Sequence, residues 1–377
     1  MGFATDAIHV GQEPDPSTGA IVAPIYQTST YVQEELGKNK GYDYARTSHP
    51  NRRALERTVA KLEGGSTAYV FTSGMAAIDS VFRLLRPGDH AIISEAVYGG
   101  VIRLTTQFLV QWGLQFSFVD TSSPEQVERS IKPNTKMIYV ETPTNPTLQL
   151  VDMKKAVALA RRHKLVSLID NTFASPVLQK PLDVGFDLVV HSATKYLAGH
   201  SDLIAGAVIG SQSLLKEVRH MVVVLGGSMD PDAGYMLIRG LKTLEIRVQR
   251  QCATAMAVAR FLEGHPKVER VDYPGLASHP DHSLARRQMR GFGAMMAFTL
   301  KGGLPAALRF CDRTRIFQIA ASLGGVESLI VLPIYTSHFG MSSKELAAAG
   351  VDPGTVRVSV GLEAPEDLIA DLRQALA

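Results

Sequence analysis

Residues 166–172 read VSLIDNT, and residues 188–195 read LVVHSATK. Each segment begins with an apolar, β-branched run and ends in polar side chains, among them Asp170 in the first and Lys195 in the second. Runs of this length and composition are typical of buried strands. The two segments therefore predict strands of a parallel sheet whose carboxyl ends bring a carboxylate and an amine to the same edge.

Similar apolar runs extend this pattern in both directions along the chain. They lie at 68–71, 91–94, 116–119, 137–140 and 203–209. Amphipathic stretches of helical length, such as residues 151–163, separate several of these runs. This alternation predicts an α/β fold with a mostly parallel seven-stranded sheet and helices on both of its faces.

The pattern changes toward both ends of the chain. Residues 1–60, with a predicted loop at 41–53, are rich in turn formers and predict an irregular arm that contacts a neighbouring subunit.

Residues 233–262 predict one long helix. Strands are predicted at 268–271, 294–300 and 356–360, and helices at 305–311 and 365–377. The predicted organisation is an arm (1–60), a main domain (61–250) and a smaller α+β domain (251–377).

The composition excludes several classes of protein. The 377 residues are 45% hydrophobic and 20% charged, which excludes disorder for most of the chain. The 39 Lys and Arg residues are scattered and nearly balance the 36 Asp and Glu residues, so no nucleic-acid partner is expected. Cys252 and Cys311 are too few for a disulfide scaffold or a cysteine metal cluster, and no metal site is expected. Short apolar runs and the absence of a leader pattern predict a cytoplasmic protein without membrane spans.

Polar residues follow four of the predicted strands, at the edge where open parallel sheets bind ligands. After the first, Ser73 and Gly74 begin a helix whose backbone N–H groups suit a phosphate, although Ser73 is also explained as an ordinary helix cap. After the second, Asn145 lies between Pro143 and Pro146. The prolines are explained by a structural turn, but the turn does not explain an asparagine held rigidly between them.

The other two strand ends carry the charged side chains. Asp170 ends an apolar strand, where a buried carboxylate is costly unless it meets a cation, and a helix cap is the alternative interpretation. Lys195 follows the hydroxyls of Ser192 and Thr194. Most lysines are solvated charges, but partial burial would lower the pKa of this amine and make it nucleophilic.

Together the four strand ends suit pyridoxal phosphate, which needs a lysine, a carboxylate and a phosphate cradle. Lys195 would form a Schiff base, and Asp170 would face the pyridine nitrogen. The residues available for the phosphate are Ser73, Gly74, Ser192 and Thr194. Tyr98, at the turn Tyr98-Gly99-Gly100, is the candidate to stack on the ring.

With these residues at its strand ends, the sequence resembles the Cys/Met-metabolism family of pyridoxal-phosphate (PLP) enzymes. The resemblance runs from TDAIHVG at residues 5–11 to RVSVGLE at residues 357–363, and the segments 170–176 and 191–196 are its most specific parts. It implies the type I PLP-transferase fold and a homo-oligomer, usually a tetramer built as a dimer of dimers.

The resemblance also implies roles for individual residues. Lys195 would carry the cofactor, Asp170 would pair with its ring nitrogen, and Tyr98 would stack on it and donate a proton. The residues implied to bind the phosphate are Ser73, Gly74, Met75, Ser192 and Thr194, with Tyr44 and Arg46 reaching it from a neighbouring subunit. Arg357, assisted by Asn145 and Ser322, would bind the α-carboxylate of the substrate.

The segment 322–329, SLGGVESL, resembles the branch of cystathionine γ-lyase and γ-synthase, in which Glu327 would meet the distal amino group of cystathionine. We therefore expect γ-elimination of L-cystathionine to cysteine, 2-oxobutyrate and ammonia. Three alternatives stay open, in this order: γ-replacement on an O-acylhomoserine, β-elimination of cystathionine, and O-acetylhomoserine sulfhydrylation. The departures from the family pattern, on the substrate side of the pocket, are Asn51, Ala321 and residues 333–338.

Two interpretations from other classes fit less well. A Schiff-base aldolase on a (β/α)₈ barrel also needs a lysine at a strand end. It would need neither Asp170 nor the phosphate cradle, and a barrel does not accommodate the separate C-terminal domain. A binding protein with a degraded site is disfavoured because every cofactor position is filled.

Overall fold

The computed structural model describes residues 1–336, 339–340, 346 and 350–377, so Ser337 and His338 of the 333–338 departure lie outside the described residues. Two sheets organise this part of the chain. The strands of the larger sheet are β1 (Thr67–Phe71), β2 (His90–Ser94), β3 (Gln115–Val119), β4 (Thr135–Glu141), β5 (Val166–Asp170), β6 (Leu188–His191) and β7 (Gly206–Gly210).

The larger sheet has the order β1-β7-β6-β5-β4-β2-β3. Strand β7 runs antiparallel to both of its neighbours, β1 and β6, and the other pairs are parallel. This confirms the predicted seven-stranded, mostly parallel sheet. The register pairs Asp170 with Glu141 on β4 and with Val190 on β6, so these three strands end at a common edge.

Apolar side chains alternate between two cores, one on each face of this sheet. Leu168 and Leu188 belong to one core, whereas the next residues along their strands, Ile169 and Val189, belong to the other. All four side chains are completely buried. Complete burial of a side chain of this size contributes about 1.5–3 kcal/mol to folding, which is why these strands carry continuous apolar runs.

Helices cover both faces of the sheet, as predicted, and continue into the C-terminal region. They are α1 (Phe3–His9), α2 (Pro50–Glu63), α3 (Gly74–Phe82), α4 (Gly99–Arg103), α5 (Pro124–Arg129), α6 (Met153–Arg162), α7 (Ser175–Leu178), α8 (Pro181–Val184), α9 (Gln212–Leu225), α10 (Pro231–Leu241), α11 (Leu244–Glu263), α12 (His282–Gln288), α13 (Gly303–Arg313) and α14 (Pro365–Leu376). No helix within the described residues is both long and apolar enough to cross a membrane.

The smaller sheet lies in the C-terminal part of the chain, with the order β10-β11-β12-β9-β8. Its strands are β8 (Val268–Asp272), β9 (Met295–Leu300), β10 (Gln318–Ile319), β11 (Leu329–Val331) and β12 (Thr355–Ser359). Strands β8, β9 and β12 correspond to the predicted strands. The sequence analysis did not predict β10 and β11, because two or three residues are too few for a periodic pattern.

The N-terminal region is more helical than expected. Residues 1–60 were predicted to be irregular, but α1 lies within them and α2 starts at Pro50, inside the predicted loop. Proline is favoured in the first turn of a helix, and Leu55, Val59 and Leu62 bury one face of α2. The prediction of an irregular arm was therefore wrong at these two helices, whereas residues 10–49 contain no helix or strand.

The single helix predicted for residues 233–262 is also wrong, because α10 and α11 are separated at Lys242 and Thr243. The Arg247 guanidinium donates a 2.8 Å hydrogen bond to the Gly240 carbonyl and a 3.0 Å bond to the Tyr196 carbonyl. These bonds tie the break to the segment that follows β6. The proposed boundaries at residues 60 and 250 both fall inside helices, and the division into three parts stays a prediction.

Candidate active site

Lys195 lies in the turn that follows β6, and its amine is largely buried. Its Nζ donates a 2.8 Å hydrogen bond to Ser322 Oγ, although 127 residues separate the two along the chain. Burial, and then the positive charge of Arg357, lower the pKa of the Lys195 amine to about 8. About a tenth of this amine is therefore neutral at pH 7, far more than for an unshifted lysine, and the neutral form is the one that a nucleophile or a proton acceptor requires.

Asp170 lies at the carboxyl end of β5 and is buried. One carboxyl oxygen accepts a 2.9 Å hydrogen bond from the Thr172 N–H, and the other accepts a 3.2 Å bond from the Tyr139 hydroxyl. Burial raises the pKa of this carboxyl, although its hydrogen bonds and the nearby His191 oppose the rise. Since a buried carboxylate is stabilised by a cation, this position suits a protonated pyridine nitrogen.

The residues predicted to bind the phosphate lie where the start of α3 meets the turn after β6. Ser73 caps α3 by accepting a 3.1 Å bond from the Ala76 N–H. A Cβ added to Gly74 would lie 2.9 Å from the Cβ of Ser192, so the two segments approach closely only because residue 74 is glycine. A helix N-terminus beside the Ser192 side chain fits a phosphate group, as pyridoxal phosphate requires.

Replacing Gly74 with alanine is expected to weaken pyridoxal phosphate binding about 10-fold or more, because overpacking of this kind costs about 1–3 kcal/mol. Titration of the apoprotein with the cofactor, followed by visible absorbance, measures the change. Gly234→Ala in α10 is the matched control, because the nearest atom to its added Cβ lies at 3.9 Å. Equal cofactor affinities for Gly74→Ala and the control would contradict the assignment.

The hydroxyl of Thr194 has a partner within the protein. Its Oγ1 donates to the Ala205 carbonyl at 3.1 Å and accepts from the Ala205 N–H at 2.9 Å. These bonds hold the turn of Lys195 against the segment leading into β7. The hydroxyl donates its one proton to Ala205 in this arrangement, and its contact with the phosphate stays a prediction.

Arg357, Asn145 and Ser322 come together beside Lys195. The Arg357 guanidinium donates to Asn145 Oδ1 at 3.2 Å and to the Ser322 carbonyl at 2.9 Å. Arg357 is buried on β12 of the smaller sheet, and burial lowers the pKa of its guanidinium to about 10, which leaves it charged at neutral pH. A fixed guanidinium beside the lysine is suited to binding a substrate carboxylate.

Tyr98 directly precedes α4, and its ring folds back beside Gly100 and Met75. A Cβ added to Gly100 would lie 2.4 Å from the Tyr98 ring and 2.7 Å from Met75 Sδ, so glycine leaves room for the ring. The Tyr98 side chain is 44% exposed and interacts electrostatically with Arg357. Its position near the guanidinium is consistent with the predicted contact with cofactor and substrate.

Three of the predicted residues lie outside this group. Glu327 is exposed, and its carboxylate accepts a 3.1 Å bond from Ser201 Oγ. Arg46 donates to the Val223 carbonyl and stacks on the Tyr44 ring at 5.6 Å. The contact of Glu327 with a distal amino group, and the contacts of Tyr44 and Arg46 with a neighbouring subunit, stay predictions.

Sequence reasoning overlooked Glu141, Thr172 and Tyr139. Glu141 ends β4 beside Asp170 and is equally buried, whereas Thr172 and Tyr139 are the hydrogen-bond donors to Asp170. A carboxylate at the end of a long apolar strand was a usable signal for Glu141, as it was for Asp170. Among the described residues, no group of three or more His, Cys, Asp or Glu side chains is arranged to hold a metal ion.

Comparison with known proteins identifies a matching family and several similar enzymes. A family model described as Cys/Met metabolism PLP-dependent enzyme matches residues 4–377. A cystathionine beta-lyase from Coxiella burnetii is 46% identical over 99% of this chain and 97% of its own length. A cystathionine gamma-synthase from Mycobacterium leprae is 46% identical, covering 100% and 97%, and a cystathionine gamma-lyase from Bacillus subtilis is 45% identical, covering 100% and 99%.

Solved structures of similar enzymes share the fold of this chain. The crystal structure of metB from Corynebacterium glutamicum matches with a TM-score of 0.96 at 43% identity, covering 100% of this chain and 98% of that chain. A cystathionine gamma synthase from Xanthomonas oryzae, in complex with aminoacrylate and cysteine, matches with a TM-score of 0.97 at 39% identity and the same coverage.

Proposed function

The chain belongs to the Cys/Met metabolism PLP-dependent enzyme family, and on that premise we propose that it is a lyase that cleaves L-cystathionine by γ-elimination. The products are cysteine, 2-oxobutyrate and ammonia. The observation that carries the proposal is the contact between the Lys195 amine and Ser322, beside the Arg357 guanidinium. This contact supports the proposal, because elimination from an amino acid requires a proton-accepting amine next to a group that binds the carboxylate.

Substrate binding follows from the geometry of Arg357. Its guanidinium is already oriented by Asn145 and by the Ser322 carbonyl, so little side-chain entropy is lost when it binds the α-carboxylate of an amino acid. The charged fork of an arginine can make two parallel hydrogen bonds to a carboxylate. The bound substrate then has its α-carbon on the side of the site that holds the Lys195 amine.

Proton transfer follows from the lowered pKa of Lys195. When bound, pyridoxal phosphate supplies an electron sink for the negative charge that develops at the α-carbon of the substrate. Lys195 Nζ accepts the α-proton, and its hydrogen bond to Ser322 Oγ keeps the free amine at the site. Asp170 would provide the negative charge that favours a protonated ring nitrogen, and Gly74 and Ser192 would hold the phosphate.

Expulsion of the γ-substituent needs a second proton to leave, from the β-carbon, because that bond supplies the electron pair. It also needs a proton donor for the departing sulfur on the substrate side. Tyr98 is the candidate donor, because its ring lies beside Met75 and it interacts electrostatically with Arg357. A positioned acid of this kind typically contributes about 10²–10⁴-fold to a rate. Water then completes elimination, whereas a thiol in its place would complete a replacement reaction.

The second candidate is γ-replacement on an O-acylhomoserine. The observation that favours it is the match, at 46% identity over the whole chain, to the cystathionine gamma-synthase of Mycobacterium leprae. The same amine, guanidinium and carboxylate serve both reactions, since the two differ in whether water or a thiol reacts last. Two further proposals follow the family resemblance: Tyr44 and Arg46 complete the site of a neighbouring subunit, and the enzyme is a homotetramer.

The deciding experiment supplies the holoenzyme with L-cystathionine alone and identifies the keto acid by mass spectrometry. The proposal expects 2-oxobutyrate together with cysteine. Pyruvate together with homocysteine would replace the proposal with β-elimination. If neither keto acid forms while the cofactor is visibly bound, γ-elimination is contradicted. The same preparation is then assayed with O-acylhomoserine and cysteine for γ-replacement.

A further inference from the structure

Glu141 is a buried carboxyl that the mechanism above does not use. It ends β4, directly beside Asp170 in the strand register, and only 4% of it is exposed. Placing a second carboxyl next to Asp170 is unfavourable, because both groups lose hydration and their charges repel. An apolar residue at this strand end would avoid that cost, and the contacts of the carboxyl give a reason for its presence.

The contacts of Glu141 connect it to the segment that carries Tyr98. One carboxyl oxygen accepts a 2.9 Å hydrogen bond from the Tyr98 backbone N–H. The backbone of Glu141 is itself held, since its N–H donates to Ser94 Oγ at 3.2 Å, and Ser94 Oγ is hydrogen-bonded to Thr121 Oγ1 at 2.5 Å. The acceptor for Tyr98 is therefore attached to the rigid carboxyl edge of the sheet.

The Tyr98 N–H depends on this bond, whereas the Tyr98 carbonyl accepts a 2.8 Å hydrogen bond from the Val101 N–H. Tyr98 lies at the N-terminal end of the short helix α4 (Gly99–Arg103), where the first N–H groups have no partner within the helix. Its side chain is 44% exposed, and the ring occupies the space left open by Gly100. A change in the backbone at residue 98 would shift the ring directly, since two torsions separate the ring from the main chain.

We infer that Glu141 is a positioning residue, whose buried carboxyl holds the Tyr98 backbone so that the ring covers the cofactor site. This inference rests on the proposed site of pyridoxal phosphate and is independent of which cystathionine reaction follows. Glu141 acts through Tyr98 and has no contact with the substrate in this assignment. Hydrogen bonds from the backbone N–H groups of Tyr98 and Asn145 partly offset the rise in the pKa of Glu141 that burial and Asp170 produce.

The test compares two substitutions of equal side-chain length. Glu141→Gln keeps an oxygen that accepts the Tyr98 N–H, whereas Glu141→Met removes the acceptor and conserves the volume. Asp187→Asn is the matched control, because Asp187 also accepts a backbone N–H, that of Ser167 at 2.8 Å, at the opposite edge of the sheet. Each holoenzyme is assayed for kcat, for KM and for the visible circular dichroism of the bound cofactor.

We expect Glu141→Met to lower kcat about 10-fold or more and to reduce the cofactor dichroism, because misplacement by about 1 Å can cost up to about 10²-fold in rate. Glu141→Gln and Asp187→Asn should stay within about 3-fold of the parent enzyme, a difference of under 1 kcal/mol. Equal effects of Gln and Met at position 141, in kcat or in dichroism, would overturn the inference.

A second measurement applies if Glu141→Met does not fold. Amide hydrogen exchange at Tyr98 is compared between the parent holoenzyme and Glu141→Ala, without substrate. Loss of the acceptor should accelerate exchange of that amide several-fold, and unchanged exchange would overturn the inference. Because the dichroism and the exchange need no turnover, they separate failure of this inference from failure of the proposed reaction.

Discussion

Replacing Lys195 with alanine is expected to lower kcat at least about 10³-fold, because one side chain supplies both the nucleophilic amine and the proton acceptor. The amine lies 2.8 Å from Ser322 Oγ and is largely buried, so no solvated lysine can take its place. Borohydride reduction followed by mass spectrometry should find the cofactor attached to Lys195 in the parent enzyme and no attachment in the variant.

The pH dependence of cofactor attachment tests the same assignment. Burial and Arg357 lower the pKa of Lys195 to about 8, and the neutral amine is the reactive form. Attachment to the apoprotein should therefore accelerate as the pH rises toward about 8 and level off above it, whereas an unshifted lysine would keep accelerating beyond about pH 10. Stopped-flow absorbance measures these rates.

The control for both measurements is Ser322→Ala. It removes the hydroxyl that accepts the Lys195 hydrogen bond and leaves the amine in place, so we expect a smaller loss in kcat of about 10-fold. If Lys195→Ala retained activity within 10-fold of the parent enzyme, or if reduction labelled another lysine, the active-site assignment would be wrong.

The second large effect is expected at Asp170. Asp170→Asn preserves the shape of the side chain and removes its negative charge, so the pyridine nitrogen would lose the group that favours its protonated form. A loss of about 10²–10³-fold in kcat is the usual result when one electrostatic partner is removed from a closed site. KM should change much less, because Arg357 holds the substrate carboxylate and is not in contact with Asp170 in the proposed arrangement.

Tyr139→Phe provides the comparison for Asp170→Asn. It removes the hydroxyl that donates to Asp170 at 3.2 Å but leaves the carboxylate and its bond from the Thr172 N–H. Its effect on kcat should therefore be about 10-fold or less, the size of one hydrogen bond. Steady-state kinetics on both variants test this order, and a larger loss for Tyr139→Phe than for Asp170→Asn would exclude the assigned role of Asp170.

Most of the larger sheet could be predicted because its strands carry local signals. Runs such as Leu188–Val190 are apolar without interruption, and this follows from burial on both faces. Local signals did not predict features that depend on contacts between residues far apart in the sequence. The break between α10 and α11 at Thr243 was missed, because the Arg247 guanidinium reaches back to the Tyr196 carbonyl across 51 residues of sequence.

The candidate site likewise contains residues with a local sequence signal and residues whose role depends on distant contacts. Lys195, Asp170 and Ser73 could be identified because each follows an apolar strand at the edge where parallel strands end together. Glu141 carries the same signal but had no evident partner in sequence, since its bond to Tyr98 spans 43 residues. The exposure of Glu327 and the internal bonds of Thr194 were likewise invisible, because a motif specifies residue types and not the direction of a side chain.

The fold class and the cofactor could be predicted from strand periodicity and the polar strand ends, and the family from the resemblance of segments 170–176 and 191–196, because all of these are local properties of the chain. Which side chains share the site depends instead on how distant segments pack. Ser322 meets Lys195 across 127 residues, and Arg357 meets Asn145 across 212. Such contacts form at hydrogen-bond distance once the two sheets have folded, and they then lower the pKa of Lys195 through burial and the nearby charge.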